Sequence, residues 1–317
     1  MSSSTHYNRN RNYRGLQQRR VGFTLVELLI VIAIIGILVG LLSVVAAGAI
    51  KRSQEFAVTS EITQMSQAVE SFRSKYGFYP PSFEGLSDAE SQASFLAFLT
   101  RVAPNHRELT NFPSGGTRFD GWWASVGCKL DQATTLQFWL AGLNENKQFP
   151  LTGGVATADD IPVGYNEILR VADASLPVAN RAGVPPAQQR LYRRESFFEF
   201  EPIRIIPRDT SAGAVATYNM EFGRSNGDLL YLYRDSASYP LGSPAYHFVG
   251  PNGAAFANPD TFQLISAGLD GDPGVPTDAA DFGNLSLQLP RHADNLCNFA
   301  DGRLDKYITE NEPVNQP

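Results

Sequence analysis

The chain has 317 residues, with 26 basic and 32 acidic side chains and a formal charge of −6, and no basic patch points to a nucleic-acid partner. Its two cysteines, Cys128 and Cys297, stand in no CxxC pair, which argues against a thiolate zinc site or a dithiol redox motif. The four histidines, His6, His106, His247 and His292, are scattered and no H-E-x-x-H occurs, so catalysis finds little support.

The first 22 residues carry Arg9, Arg11, Arg14, Arg19 and Arg20 and no acid. By the positive-inside rule that end stays in the cytoplasm and everything after Ile50 lies outside. From Leu28 to Ile50 the chain runs through 23 residues without a charge, more than the roughly 20 a helix needs to cross a bilayer. A cleaved secretory signal has an apolar core of about 7 to 15 residues, so this run is too long for one. Glu27 stands at its entrance, where a carboxylate is costly unless it is paired or sits at the interface. An interfacial Glu27 that snorkels to headgroups is one reading, and a dedicated partner is the other.

The segment Gly22-Phe23-Thr24-Leu25-Val26-Glu27-Leu28 resembles the class III leader of type IV pilins and type II secretion pseudopilins. The resemblance implies that a membrane-embedded prepilin peptidase cuts between Gly22 and Phe23 and methylates the new amino terminus at Phe23. It also implies that Glu27 meets the terminal ammonium of a neighbouring subunit during assembly. Loss of the five leader arginines takes the formal charge to about −11 before the new terminus is counted. The family commonly has a proline where Val44-Val45 stands here. Gly36 and Gly40 form a small-xxx-small pair, suited to close helix approach or incidental in a membrane helix.

Beyond Ile50 the pattern turns amphipathic, with Ile62, Met65, Val69, Phe72 and Tyr76 at spacings of three and four. Gly77 and Tyr79-Pro80-Pro81 predict the stop, so one helix is expected over 23–76, about 54 residues and roughly 80 Å long. Its apolar stripe is expected to pack on a sheet. The segment from Lys75 to Leu86 also resembles the helix-to-loop junction of major pseudopilins.

Residues 77–317 read as one domain with an insertion at about 105–195. Helices are expected at 88–102 and at 131–143, the second capped by Asp131 with Leu136, Trp139, Leu140 and Leu143 on one face. Strand-like runs cover 197–206, 218–222, 229–233 and 261–265, with Pro202 weakening the first. They are too closely spaced for crossover helices, so an antiparallel sheet is expected. The stretch 172–189 reads as a loop, and Trp122-Trp123 as core packing rather than a stacking platform.

The most site-like soluble feature is the run from Leu264 through Ser266, Gly268, Asp270, Gly271 and Asp272 to Gly274, followed by Asp278 and Asp281. Calcium takes six to eight oxygens from such carboxylates and carbonyls, though the spacing does not fit an EF-hand. The run resembles the calcium loop of the major pseudopilin. That resemblance implies Ca2+ held by Asp270, Asp278 and Asp281, with Leu264 or Ser266 adding oxygens; Asp272 is an extra acid and the downstream pair is spaced differently. A solvated Asp-Gly turn without metal is the other reading. Cys128 and Cys297 both fall outside the membrane, where they form either a disulfide or two buried thiols. His292, Asp294 and Cys297 are better explained as loop residues than as a nucleophile pair.

The whole reads as an α+β, pilin-like protein: a leader over 1–22, a transmembrane and assembly helix over 23–76, and a periplasmic antiparallel β-sheet domain over 77–317. The implied protein is a structural filament subunit, not an enzyme, single-pass in the inner membrane with its N-terminus cytoplasmic. Its implied partners are the prepilin peptidase, other pilin or pseudopilin subunits and an inner-membrane assembly platform. A minor or adhesive pilin is the alternative within the family. A signal-anchored periplasmic binding or enzymatic domain is the alternative from another class.

Overall fold

A computed structural model of the protein describes residues 23–82, 88–113, 115–125, 127, 130–144, 146–154, 196–201, 204–207, 216–218, 231–241, 245–250, 253–269, 294–300 and 302–311. The apolar run and the amphipathic stripe after it form one unbroken helix, α1 (Leu25–Tyr76), which continues through Val44-Val45 where the family commonly has a proline. It stops where the sequence predicts. Gly77 takes φ +87°, a conformation that side chains disfavour, and its N–H donates to the Arg73 carbonyl at 2.7 Å. Two compact units divide between Lys51 and Arg52, so the second half of α1 belongs with the domain that follows.

In that domain Val58, Ile62, Met65, Ala68, Val69 and Phe72 of α1 are buried, at the three- and four-residue spacing of one helix face. The first five pack on Tyr231 and Tyr233 of β3 (Tyr231–Asp235) and on Phe262 and Leu264 of β6 (Phe262–Ser266). These strands pair antiparallel, Tyr231 opposite Ser266 and Asp235 opposite Phe262. Alternation sends Leu232 and Ile265 to the other face, where Tyr246, Phe248, Cys297, Leu304 and Ile308 cover them. Both faces of the ladder are therefore buried. Two further antiparallel pairs are β1 (Ile205–Pro207) with β2 (Ala216–Tyr218) and β4 (His247–Gly250) with β5 (Gly253–Phe256). The long helix against this small antiparallel sheet region gives the expected α+β, pilin-like architecture.

Side-chain amides extend the ladder where strands are short. Asn298 binds β6 as a backbone unit does, its Oδ1 accepting the Leu264 N–H at 2.9 Å while its own N–H donates to the Leu264 carbonyl at 3.0 Å. Gln263, fully buried, accepts the Tyr246 N–H at 2.7 Å and donates to the carbonyls of Tyr246 and Ala257, joining the β4–β5 hairpin to β6. Buried amides that satisfy every partner fix register, since an unmet donor or acceptor costs about 1–3 kcal/mol.

A second core is aromatic. Helix α2 (Asp88–Val102) matches its predicted bounds and brings Phe95, Phe98 and Leu99 onto Phe72. Helix α3 (Arg118–Ser125) adds Phe119, Trp122 and Trp123, and both tryptophans are core residues as expected. The expected helix over 131–143 is shorter, α4 (Thr135–Leu140), because Asp131 caps a preceding turn: its Oδ1 accepts from the Ala133 N–H, the Thr134 N–H and the Thr134 hydroxyl. All six α4 residues are buried, Leu136 and Leu140 toward the sheet and Phe138 and Trp139 toward the aromatic core. Trp139 is fully enclosed, and its Nε1–H donates to the Pro81 carbonyl at 3.0 Å.

Of the strand expected over 197–206, the described residues 197–201 and 204 are outside any strand and Ile205 and Ile206 belong to β1. Phe197 and Phe198 donate their N–H groups to the Leu140 carbonyl instead of a ladder, and the segment straps the end of α4. Farther on, Arg204 makes a two-pronged pair with Glu61 of α1 at 2.7 and 2.6 Å, and the Tyr231 hydroxyl donates to the same carboxylate. Helix α5 (Leu304–Asn311) closes the far face of the ladder through Leu304 and Ile308.

Within 105–154 the buried Glu108 carboxylate accepts the Leu151 N–H, the Thr152 N–H and the Thr152 hydroxyl at 2.8 to 3.0 Å. Those donors and the Arg118 charge favour the anion, yet burial outweighs them and pushes its pKa above the usual carboxyl range. A carboxyl raised in the folded state binds more protons folded than unfolded, so its contribution falls as pH climbs from the unfolded value through the folded one. We expect the stability of the wild type relative to Glu108→Gln to be greatest at acidic pH and to decline toward neutrality. Urea unfolding of the detergent-solubilised chain across that range measures it, and a constant difference would refute the linkage.

Candidate functional site

The site built by the N-terminal motif begins at Phe23, which is exposed, and continues into the first turn of α1. Gly22 lies outside the described residues. Thr24 is the N-cap: its Oγ1 accepts the Glu27 N–H at 3.2 Å. Glu27 reaches back, and its Oε2 accepts both the Thr24 N–H at 2.9 Å and the Thr24 hydroxyl at 2.8 Å. This reciprocal pair is a capping box, which meets two N–H groups that the start of a helix leaves unpaired. It also sets a carboxylate against the positive end of the helix dipole. Thr24 is the member that a reading centred on Glu27 misses, although Thr-x-x-Glu ahead of an apolar run is itself a legible signature.

Leu25 through Leu42 present large apolar side chains that are exposed, among them Leu28, Ile32, Ile35, Val39 and Leu42. By length and composition α1 is able to cross a membrane once. At Gly36 and Gly40 an added Cβ meets nothing within 4 Å, so any close approach these glycines serve lies between chains.

The expected metal loop is mostly outside the described residues, including Asp270, Asp272, Asp278 and Asp281. Leu264 and Ser266 are described and fully buried. The Leu264 carbonyl accepts the Asn298 N–H, and the Ser266 hydroxyl accepts the Leu296 N–H at 3.3 Å, so both take part in sheet bonding. Gly268 has φ +69°, a conformation that side chains disfavour, and a Cβ there would stand 2.8 Å from the Asp294 carboxylate carbon, which would have to shift. Among the described residues no three His, Cys, Asp or Glu side chains are placed to hold an ion.

Cys128 and His292 also lie outside the described residues. Cys297 is buried, and burial pushes its thiol pKa well up, opposite to what a nucleophile needs. His247 is held by its Nδ1 against the Ala245 carbonyl at 2.8 Å. Gly223-Arg224-Ser225-Asn226-Gly227, outside the described residues, has the spacing of a nucleophile elbow. That motif requires a helix after the serine, whereas the strand β3 begins four residues beyond Gly227.

A family profile described as the prokaryotic N-terminal methylation motif matches residues 19–43. No curated protein and no solved structure matches the chain. The match covers the capping box and most of the apolar run. Thr24→Ala is expected to speed amide exchange at Leu25 to Leu28 in micelles while Thr24→Ser preserves it; unchanged exchange in both would show that the cap does not hold the first turn. The methylation motif, continued by a long apolar helix, is consistent with the type IV pilin and pseudopilin superfamily and with a structural, non-catalytic role.

Proposed function

We propose that the protein is a structural subunit of a type II secretion or type IV pilus-like filament. The observation that carries this reading is the Gly22–Glu27 motif leading into an exposed apolar helix, one element that serves as membrane anchor and then as packing surface. Prepilin peptidase hydrolyses the Gly22–Phe23 peptide bond, and the freed amino group of Phe23 is methylated. The five leader arginines keep the N-terminus cytoplasmic and the domain periplasmic. Glu27 then meets the terminal ammonium of a neighbouring subunit on the assembly platform. Both Thr24 donors fall on Oε2, which leaves Oε1 for that contact.

Low dielectric strengthens such a pair but raises the cost of leaving either charge alone, so Glu27 acts as a check on register. Contacts of this kind are heterologous and open-ended. Calcium held by Asp270, Asp278 and Asp281 would stiffen the domain surface, and a Cys128–Cys297 bond would tie it. A minor or adhesive subunit is the second reading, favoured by the large inserted region expected at about 105–195.

Intact-mass analysis of the protein from native membranes, with and without co-expressed prepilin peptidase, tests the assignment. A chain that starts at Phe23 with one added methyl is expected, and retention of residues 1–22 under both conditions would overturn it. Glu27→Ala is expected to insert in the membrane and be cut yet to be lost from filaments, measured in the sheared fraction. A tethered periplasmic enzyme would be indifferent to that change.

A further inference from the structure

Beyond the end of α1 a cleft of ≈ 650 Å³ opens between the junction Gly77–Pro81, one face of α2 and the turn after β3. Its volume lies in the range of ligand sites, about 300–1,000 Å³. From α2 come Ser94, Ala97, Phe98 and Arg101, spaced to share one helix face, and of these Ser94, Ala97 and Arg101 are exposed or half-buried.

Two guanidiniums flank it, each over a ring supplied by consecutive junction residues. Arg101 lies 4.4 Å from the Phe78 ring centroid and Arg73 lies 4.5 Å from that of Tyr79. Phe78, the ring under Arg101, is itself packed edge-on against Phe98 at 4.6 Å. Arg73 is already engaged, donating to the Tyr79 hydroxyl at 2.6 Å with Glu70 at 3.9 Å. No carboxylate pairs with Arg101 among the described residues. Asp235, on the inner wall, is occupied by the Ser82 N–H and the Ser82 and Ser238 hydroxyls. Asp260 is the other acid of the lining.

A guanidinium stacked on a ring keeps its edge N–H groups for a carboxylate and has lost its freedom in advance. Arginine and aromatic side chains in a half-enclosed pocket are also the residue types that dominate protein interfaces. The abundant carboxylates belong to the chain itself, which carries 32 acids against 26 bases before the leader is removed. An open-ended assembly joins two different surfaces of each copy, one of them a receptor.

We propose that this cleft is the receptor for an acidic segment of a second copy of this chain, whose carboxylate Arg101 clamps over Phe78. The proposal rests on the filament reading. A photo-crosslinking amino acid at Ala97, in the full chain in its own membranes, tests it directly. The expected product is an adduct of twice the chain mass whose partner peptide, sequenced by mass spectrometry, comes from this chain and contains Asp or Glu. Arg101→Glu should cut its yield about tenfold or more. Arg101→Gln, which removes the charge without reversing it, should lower the yield as well and guards against a folding defect in the first variant.

No adduct, an adduct with another protein, or a yield indifferent to both variants would overturn the proposal. A chain that keeps residues 1–22 and still gives the self-adduct would overturn only the processing reading. A processed chain without the adduct would overturn only this one.

Discussion

The structure depends on one apolar face of α1. Val58, Ile62, Met65, Ala68 and Val69 close the sheet core, and one turn later Phe72 enters the aromatic core. A buried aliphatic or aromatic side chain contributes roughly 1.5–3 kcal/mol by leaving water, so this face is a major part of what holds the domain together. It is also the part of the helix that cannot leave without exposing both cores. The domain therefore owns the second half of α1, and the apolar half is the same helix carried on without a break.

Because the ladder is two short strands buried on both faces, its unmatched backbone groups need partners that no further long strand provides among the described residues. Asn298 supplies one to Leu264 from its side chain, Gln263 of β6 meets the backbone of Tyr246 and Ala257 beside the ladder, and Asp235 gathers the Ser82 and Ser238 donors. Glu108 does this for the turn at 151–152. Such polar anchors contribute less to stability than the cores do, since each hydrogen bond replaces one to water. Their effect is on uniqueness, because a slipped register would leave them unmet in a dry interior.

At the start of α1 the same accounting applies to a single residue. A carboxylate at the entrance of an apolar run is disfavoured alone, and Thr24 meets part of its demand from within the chain. What Thr24 leaves over is available to a neighbour, so the capping box and the proposed assembly contact draw on different oxygens of Glu27. Farther along the chain, Arg101 on Phe78 has the complementary character, a fixed cation with no carboxylate partner among the described residues.

Much of this was legible without coordinates. The arginine-rich start, the uncharged run and Glu27 are local composition, and they mark the motif and the apolar span through solvation alone. Helix α2 and the stop at Gly77 follow from 3.6-residue periodicity and backbone freedom, which are also local. Strands were less so: those expected over 229–233 and 261–265 lie at Tyr231–Asp235 and Phe262–Ser266. A strand buried on both faces loses the alternation that marks its ends. In the sequence the β4–β5 pair has only the Pro251-Asn252-Gly253 run between modest flanks to signal it, and α3 and α5 are too short to show a period. Sequence by itself determined the N-terminal methylation motif, the apolar run long enough to cross a membrane and the amphipathic continuation, because each depends on neighbours within a few turns of chain. Tertiary structure alone decided that Phe197 straps α4, that Gln263 ties Tyr246 and Ala257 to β6 and that Arg101 lines a cleft, because those roles depend on partners outside the local pattern.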